Sequence, residues 1–499
     1  MGYTRRAFWV ATALTLAACH SEEQVVVRNV ILISVDSLRP DLLTPYDDSL
    51  ATSPHLARFA EDAALFTEAV SQGASTAISH KSMLYSLYPW ITGMTEKNKV
   101  PQEKGTSPLE ALQAAGIFTG AIVGGGQLDA VYGFSRGFDT FLQTNRNTRR
   151  EVRDAGMTLT EARADRAARR RLRTERLAAE REGRPMPELP DRPVDGEGDA
   201  MTPAELEPVA LEILEEDSMA WLDEHHQKPF FLFLHTYKVH CPYVPPPHYA
   251  QRFAAPYQGT VDASNCRSLS EHEGLKEADF AYLRQMYMGE IAYVDEFLGR
   301  LFTKLEDLGI DENTMIAFVA DHGESFGEHG RLGHNRLDWS ILRVPLIIKI
   351  PGSRGTRIDA PVELVDVIPT VFAALGVAAP YRFQGINLLP IINGEQRIDS
   401  NRTRFSSQVE RSAVLKGGWK LVLGEAANVS LYDWRSDPRE LQNVLEENPA
   451  VAAELREEFD KMLADGHDLA QNFVQPADQE LEITDELREQ LEALGYLDR

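Results

Sequence analysis

The chain has 499 residues, of which 43% are hydrophobic and 25% are charged, so it is long enough to form one large domain and a smaller one. Its net charge of −25 at pH 7 and its pI near 5.0 argue against a surface that binds nucleic acid. With only three cysteines, it does not belong to the small folds held together by disulfides.

The N-terminus has the pattern of an export signal. Arg5 and Arg6 precede an apolar segment, residues 7–18, that is short for a mature membrane span but suits a secretory signal. The segment leads into the sequence Leu-Ala-Ala-Cys, which ends at Cys19 and resembles a bacterial lipoprotein signal. We therefore predict that residues 1–19 are a lipoprotein signal. Lipid on Cys19 would anchor the exported protein to a membrane, facing the periplasm or the cell exterior.

The first buried strand is predicted from an apolar run, residues 29–35, that ends in Asp36. Continuous hydrophobic residues are typical of a strand buried on both faces of an α/β sheet, and ligands collect at the carboxyl ends of such strands. Further along, Ser75 and Thr76 precede a helix-compatible segment. One of them is expected at a helix N-terminus, where free N–H groups favour anions; a plain helix cap is the alternative.

Apolar runs and amphipathic segments alternate through the middle of the chain. Residues 110–125 fit a helix and then a strand, and residues 204–226 fit a helix that leads into a strand over residues 230–234. A helix over residues 280–308 precedes another apolar strand over residues 315–320. This alternation is expected of a doubly wound α/β fold.

One segment departs from this alternation because it has almost no apolar face. Between Arg146 and Arg184 there are 13 arginines and 7 acidic residues, followed by a linker rich in Pro, Gly and Asp over residues 185–199. We predict a protruding, charged helical insert over about residues 146–203. Contact of the insert with anionic phospholipid or polysaccharide is the alternative.

The strand over residues 315–320 ends in Asp321 and His322, followed by a glycine. A carboxylate and an imidazole on one strand end, together with Asp36 on another, predict a cation site. An ordinary turn is the alternative at this position. His240 lies on a loop that follows the strand over residues 230–234, so we expect it at the same edge of the sheet, with a solvated loop histidine as the alternative.

Together, these motifs resemble the sulfatase family of the alkaline-phosphatase superfamily, in family order from about residue 28 to the C-terminus. The family signature Cys/Ser-x-Pro-Ser-Arg falls on residues 76–80. The resemblance implies an α/β fold, an alkaline-phosphatase-like sandwich with a large, mostly parallel sheet between helices. The catalytic domain would cover residues 25–397, and a small antiparallel C-terminal subdomain residues 398–499. Further matches are Ser53-Pro54-His55-Leu56, His240-Cys241-Pro242-Tyr243, Gly333-His334, Leu342–Ile348 and Leu364–Thr370.

The signature itself departs from the family. Thr76 stands where relatives have the cysteine or serine that is oxidised to formylglycine, so the protein is expected to contain no formylglycine. Ile78 and His80 replace the proline and the arginine of the signature. Of the cysteines that remain after Cys19, Cys241 either pairs with Cys266 or is free, and neither lies at the nucleophile position.

The metal ligands implied by the resemblance are Asp36, Thr76, Asp321 and His322. This set is similar to the single-metal site of lipoteichoic acid synthases and phosphoethanolamine transferases. Because it includes a histidine, it favours one borderline ion, Mn²⁺ or Zn²⁺, over the Ca²⁺ expected of an all-oxygen site.

The resemblance also implies roles for individual side chains. Thr76 would be the nucleophile, activated by a cation that lowers the pKa of its hydroxyl. His240 would protonate the leaving group, a role suited to a side chain that titrates near neutral pH. His80 and His334 would bind the substrate, whereas His235 is expected to be structural.

These assignments predict a metal-dependent hydrolase of sulfate, phosphate or phosphonate esters whose partner is an anionic ester. A threonine ester lacks the second hydroxyl through which a formylglycine hydrate expels sulfate. It must therefore be cleaved by an external acceptor, which suits phosphoryl transfer. Two alternatives stay open, a phosphoryl-group transferase and a catalytically weak, sulfatase-like binding lipoprotein.

Overall fold

The computed structural model describes residues 27–94, 102–144, 210–265, 274–424, 429–475 and 483–494. The lipoprotein signal with Cys19 and the charged insert over residues 146–203 lie outside the described residues, so both stay predictions. Among the helices of the described ranges, none combines the length and apolar character needed to cross a bilayer.

An eight-stranded sheet forms the centre of the fold. Its strands lie in the order β8-β2-β7-β6-β1-β5-β3-β4, and β7 is antiparallel to both of its neighbours while all other pairs are parallel. The predicted α/β fold with a large, mostly parallel sheet is confirmed. The strands are β1 (Asn29–Val35), β2 (Ala64–Val70), β3 (Phe118–Val123), β4 (Thr140–Gln143), β5 (Phe230–Thr236), β6 (Thr314–Val319), β7 (Leu346–Lys349) and β8 (Thr356–Glu363).

The three central strands, β1, β5 and β6, are buried along their entire length. Helices cover the sheet, which explains why these strands read as unbroken apolar runs instead of alternating ones. The helices are α1 (Pro54–Ala60), α2 (Thr76–Tyr85), α3 (Pro89–Thr92), α4 (Pro108–Ala114), α5 (Ala210–His225), α6 (Pro247–Phe253), α7 (Glu277–Asp307), α8 (Trp339–Leu342), α9 (Val367–Leu375), α10 (Leu389–Ile392), α11 (Pro449–Phe473) and α12 (Asp485–Ala493).

A second, four-stranded antiparallel sheet follows in the order β9-β10-β11-β12. The long helix α11 packs against it through apolar side chains that include Leu455 and Met462. A β-bridge between Gly73 and Ser407 connects this sheet to the main domain. The strands are β9 (Arg404–Gln408), β10 (Arg411–Lys416), β11 (Trp419–Leu423) and β12 (Ser430–Asp433).

A buried ion-pair cluster joins the two sheets. Arg402 donates to Glu363 Oε2 at 3.1 Å and to Asp366 Oδ2 at 2.6 Å, and both carboxylates are fully buried. Glu363 also accepts from the Tyr88 hydroxyl at 2.9 Å and from the backbone N–H of Phe405 at 3.0 Å. Burial raises the pKa of Glu363 to about 7 despite the neighbouring Arg402. The cluster therefore depends on the arginine to compensate two desolvated acids.

We expect the Arg402→Met variant to lose about 3–5 kcal/mol of unfolding free energy, because it leaves two buried carboxylates without their cation. Urea denaturation followed by circular dichroism measures this loss. The matched control is Lys416→Met, which removes an ion pair with the partly exposed Glu454 and Glu458 and should cost about 0–1 kcal/mol. Equal destabilisation of the two variants would contradict the importance of the buried cluster.

Candidate active site

The site lies at the carboxyl edge of the central strands. Because β1 is parallel to β5 and β6, Ser34 lies opposite Val319 and Val35 opposite Thr236. The residues that follow these strands therefore meet at one place. There the potential ligand atoms of Asp36, Asp321 and His322 all lie within 4.8 Å of one another, and the three side chains are fully buried.

Ser37 connects the two carboxylates. Its backbone N–H donates to Asp321 Oδ1 at 3.1 Å, and its hydroxyl donates to Asp36 Oδ1 at 2.8 Å. This requires a left-handed backbone at Ser37, with φ of 56°, which is unfavourable for a residue with a side chain. Tyr287 on α7 holds the turn by donating to the Ser37 carbonyl at 2.7 Å and accepting from Arg39 N–H at 2.8 Å. The strained turn thus fixes the relative placement of the acids.

The electrostatics of this group are those of a cation site. Burial and the negative charge of Asp36 raise the pKa of Asp321 well above its usual range. Burial also opposes ionisation of Asp36, but the imidazoles of His235 and His322 lower its pKa well below the usual range. Among the described residues, Asp321 Oδ2 is buried and has no hydrogen-bond partner. Two buried carboxylates, an imidazole and an unsatisfied oxygen fit a divalent cation.

Thr76 is the first residue of α2, a helix that is buried along its whole length. Ser75 precedes it with an extended backbone, so the chain changes direction at the nucleophile candidate. The Thr76 hydroxyl donates to Asp36 Oδ2 at 3.0 Å. The predicted helix N-terminus is therefore present, and it brings Thr76 to the group formed by Asp36, Asp321 and His322.

His80 lies one turn further along α2 and is fully buried. Its Nδ1 donates to the Thr76 carbonyl at 2.8 Å, because a carbonyl can only accept, and its Nε2 is then the acceptor for the Ser34 hydroxyl at 2.8 Å. Burial, with a smaller contribution from His235, lowers the pKa of His80 to about 3. The ring is neutral at physiological pH, and both nitrogens bond to the protein interior.

His235, expected to be structural, lies directly beside the ligand group. Its Nε2 is 3.4 Å from Asp36 Oδ2, and its ring packs edge-on against His80 at 5.0 Å between centroids. Burial lowers its pKa, and Asp36 acts against this shift. The sequence placed His235 at the end of a strand but gave no sign that Asp36 would lie across from it.

His240 and His334 come from different loops and face each other. Their Nε2 atoms are 3.2 Å apart, and His334 also stacks on His322 with 4.2 Å between ring centroids. Each Nδ1 donates to a backbone carbonyl, that of Cys241 at 2.6 Å for His240 and that of Ala74 at 2.9 Å for His334. Both rings are nearly completely buried. The structure thus brings these two histidines to the same edge as Asp36.

The loop that carries His240 is held by buried polar contacts. Lys238 contacts Glu290 Oε1 at 3.4 Å, and the same oxygen accepts from Val244 N–H at 2.9 Å. Cys241 is disulfide-bonded, so the alternative of a free thiol next to His240 is wrong. Its candidate partner Cys266 lies outside the described residues.

A second group of potential metal ligands joins His329, Asp338 and Glu440. Here each carboxylate already has a cation, since Lys420 contacts Glu440 Oε2 at 2.5 Å and Arg336 Nε lies 2.9 Å from Asp338 Oδ2. Adding a divalent ion would leave excess positive charge in a largely buried place. This group is best explained as an ion-pair cluster between the main domain and the C-terminal sheet.

Comparison with known proteins agrees with this geometry. The family model described as "Sulfatase" matches residues 28–377. The chain belongs to the sulfatase family. A second family model, "N-sulphoglucosamine sulphohydrolase, C-terminal", matches residues 327–467, which include the antiparallel sheet of this sulfatase.

Two curated relatives show how far the sequence similarity extends. The multifunctional alkaline phosphatase superfamily protein PehA of Trinickia caryophylli is 29% identical over an alignment of 298 residues, and the match covers 50% of this chain and 58% of the relative. The choline-sulfatase of Rhizobium meliloti is 31% identical over 173 residues, 33% of each protein. The sulfatase described here therefore spans about half of the former and a third of the latter.

Solved structures show the same fold over nearly the whole chain. The phosphonate monoester hydrolase of Agrobacterium radiobacter superimposes with a TM-score of 0.67 at 20% identity, covering 88% of this chain and 96% of that one. The corresponding enzyme SpPMH of Silicibacter pomeroyi gives 0.64 at 22% identity, covering 88% and 95%.

We expect the Asp321→Asn variant to bind much less divalent metal than the wild-type sulfatase, because it loses an anionic ligand from the buried group. Elemental analysis of protein equilibrated with Mn²⁺ or Zn²⁺ and then desalted measures this. Asp262→Asn is the control, since Asp262 is a loop acid bonded to Ser264. Full metal occupancy in Asp321→Asn would contradict the assignment.

Proposed function

We propose that this sulfatase is a metal-dependent hydrolase of anionic sulfate, phosphate or phosphonate esters and that Thr76 is its unmodified nucleophile. The observation that carries the proposal is the Thr76 hydroxyl, held at the start of a buried helix and 3.0 Å from Asp36 Oδ2. That carboxylate belongs to the same group as Asp321 and His322. An assembly of this kind favours an enzyme over a catalytically weak, sulfatase-like binding lipoprotein.

The residues that would hold the cation are Asp36, Thr76, Asp321 and His322. Bound there, a divalent ion would supply positive charge that polarises the ester and favours ionisation of the threonine hydroxyl. The imidazole in the set favours Mn²⁺ or Zn²⁺ over Ca²⁺.

The proposed reaction consists of two successive displacements at the sulfur or phosphorus of the ester. Thr76 Oγ1 attacks sulfur or phosphorus while its proton passes to Asp36 Oδ2, the acceptor of its hydrogen bond. The bond between the sulfur or phosphorus and the ester oxygen breaks, and the leaving alcohol takes a proton from His240. Water then attacks the sulfur or phosphorus of the threonine ester and gives one proton to His240. The bond from the sulfur or phosphorus to Thr76 Oγ1 breaks, Thr76 takes back its proton from Asp36 Oδ2, and the acid is released.

The facing histidines suit proton donation. Since both Nδ1 atoms donate to carbonyls, two neutral rings would direct two Nε2 lone pairs at each other across 3.2 Å. A proton on His240 Nε2, with His334 Nε2 accepting the hydrogen bond, removes this repulsion and gives the pair one positive charge. The proton is assigned to His240 because burial and the imidazole of His322 lower the pKa of His334 well below its usual range. Such a pair attracts an anionic ester and holds the proton that the leaving group needs.

His80 has a different role from the substrate contact expected from its place in the signature. Its two nitrogens bond to Ser34 and to the Thr76 carbonyl, and its side chain is fully buried. We therefore propose that His80 positions the first turn of α2 and that the His240–His334 pair binds the ester.

The substrate class follows from the chemistry and from the relatives. Choline-sulfatase and the multifunctional protein PehA support an ester of a sulfur or phosphorus acid. A threonine ester must be opened by attack at sulfur or phosphorus, which suits phosphate and phosphonate esters. A panel of para-nitrophenyl sulfate, phosphate, phosphodiester and phosphonate, each with Mn²⁺, Zn²⁺ and Ca²⁺, tests this proposal.

We expect Thr76→Val to abolish turnover of whichever ester is hydrolysed, whereas Thr76→Ser, which keeps the hydroxyl, should retain measurable activity. Peptide mass spectrometry should show ordinary threonine at position 76. Turnover at the wild-type rate in Thr76→Val would refute the assignment of Thr76 as the nucleophile.

We expect His240→Asn to slow the hydrolysis of esters of poorly acidic alcohols far more than that of esters of acidic phenols, because only the former need a proton on the leaving oxygen. The slope of log kcat/KM against leaving-group pKa measures this and should become steeper by comparison with wild type. An unchanged slope with a uniform loss of rate would indicate that His240 binds the ester without protonating it.

A further inference from the structure

Gln127, which the sequence motifs did not single out, contacts both neighbours of Thr76. Its Oε1 accepts from the Ser75 hydroxyl at 2.8 Å and from the backbone N–H of Ala77 at 3.0 Å. The Ala77 N–H can only donate, so the atom facing it is the amide oxygen. The residue comes from the turn after β3, 50 positions away from Ala77, and its side chain is buried.

This contact supplies something that α2 lacks. The residue before the helix, Ser75, does not cap it, because its side chain makes no hydrogen bond to the N–H groups of the first turn. Gln127 caps the helix instead, because its amide oxygen accepts from the Ala77 N–H. The same oxygen accepts from the Ser75 hydroxyl and so orients it. Thr76 therefore lies between two residues that are tied to the same amide oxygen.

The turn that carries Gln127 is itself fixed. The backbone N–H of Gln127 donates to the Tyr237 hydroxyl at 2.9 Å, and that hydroxyl donates to the Gly125 carbonyl. Gly125 and Gly126 have positive φ angles of 79° and 58°, and a Cβ on Gly126 would lie 2.7 Å from the Tyr237 oxygen. On the other side, Gln490 of α12 donates to the Gly124 carbonyl at 2.9 Å. The turn is thus held between the strand that leads to His240 and the C-terminal helix.

We propose that Gln127 is a positioning residue for the nucleophile and that it acts by fixing the backbone on both sides of Thr76. This inference rests on the proposed role of Thr76. A hydroxyl that must reach an ester and stay 3.0 Å from Asp36 has little freedom, and small displacements of a reacting group cost much of the rate. Loss of the two hydrogen bonds should therefore reduce kcat more than substrate binding.

The test compares Gln127→Leu, which keeps the approximate volume but accepts no hydrogen bond, with Gln127→Glu, which keeps an oxygen for both donors. Gln113→Leu is the matched control, because Gln113 is a half-buried glutamine on α4 that donates to Asp139 Oδ1 in a solvent-exposed hydrogen bond. Each full-length variant is assayed for kcat and KM on the para-nitrophenyl ester that the wild-type protein hydrolyses fastest. Bound metal is measured in the same samples.

We expect kcat of Gln127→Leu to fall about 10- to 100-fold with KM changed less than about threefold and with wild-type metal content. Gln127→Glu should recover most of this kcat, whereas Gln113→Leu should match wild type. Equal kcat in Gln127→Leu and Gln113→Leu would overturn the inference. So would equal losses in the Leu and Glu variants, or loss of metal in Gln127→Leu.

The Thr76→Val variant separates this inference from the proposed function. If Thr76→Val is inactive while Gln127→Leu is fully active, only the positioning role fails. If Thr76→Val is active, the nucleophile assignment fails, and the role of Gln127 fails with it.

Discussion

The close approach of two buried carboxylates, Asp36 and Asp321, is the constraint on which the rest of the site depends. Their burial and mutual repulsion make a doubly ionised pair unfavourable and raise the pKa of Asp321 well above its usual range. The protein nevertheless holds them together through the strained Ser37 turn and Tyr287. Backbone strain of this kind persists only where the surrounding structure enforces it. A cation site explains why the fold maintains such an arrangement.

The elements around this carboxylate pair either bring side chains to it or support those that do. Helix α2 directs its first residue at Asp36, and the loop after β5 brings His240 to the same edge. None of the described residues of the C-terminal sheet belongs to the ligand group of Asp36, Asp321 and His322. It is tied to the main domain through Arg402, Glu363 and Asp366, and it packs beside the segment that leads into α2. The subdomain therefore supports the nucleophile helix from outside.

The histidines show how much depends on the direction of a side chain. The sequence places His80 in the signature and His235 at a strand end, and it predicts a substrate contact for His80 and a structural role for His235. In the structure His80 bonds to the protein interior through both nitrogens, whereas His235 lies 3.4 Å from Asp36 Oδ2. Successive residues of a strand point to opposite faces, so the strand position alone did not predict this contact.

The sequence by itself determined the fold class and most of the candidate site. Apolar runs that end in Asp36 and Asp321 predict buried parallel strands, and the carboxyl ends of such strands share one edge. Tertiary structure alone decided the pairing of His240 with His334 and the contact of Gln127 with the residues around Thr76. The first contact joins two loops 94 residues apart, and the second joins a turn to the start of α2 about 50 residues away. No local spacing or periodicity encodes the direction in which a loop side chain points.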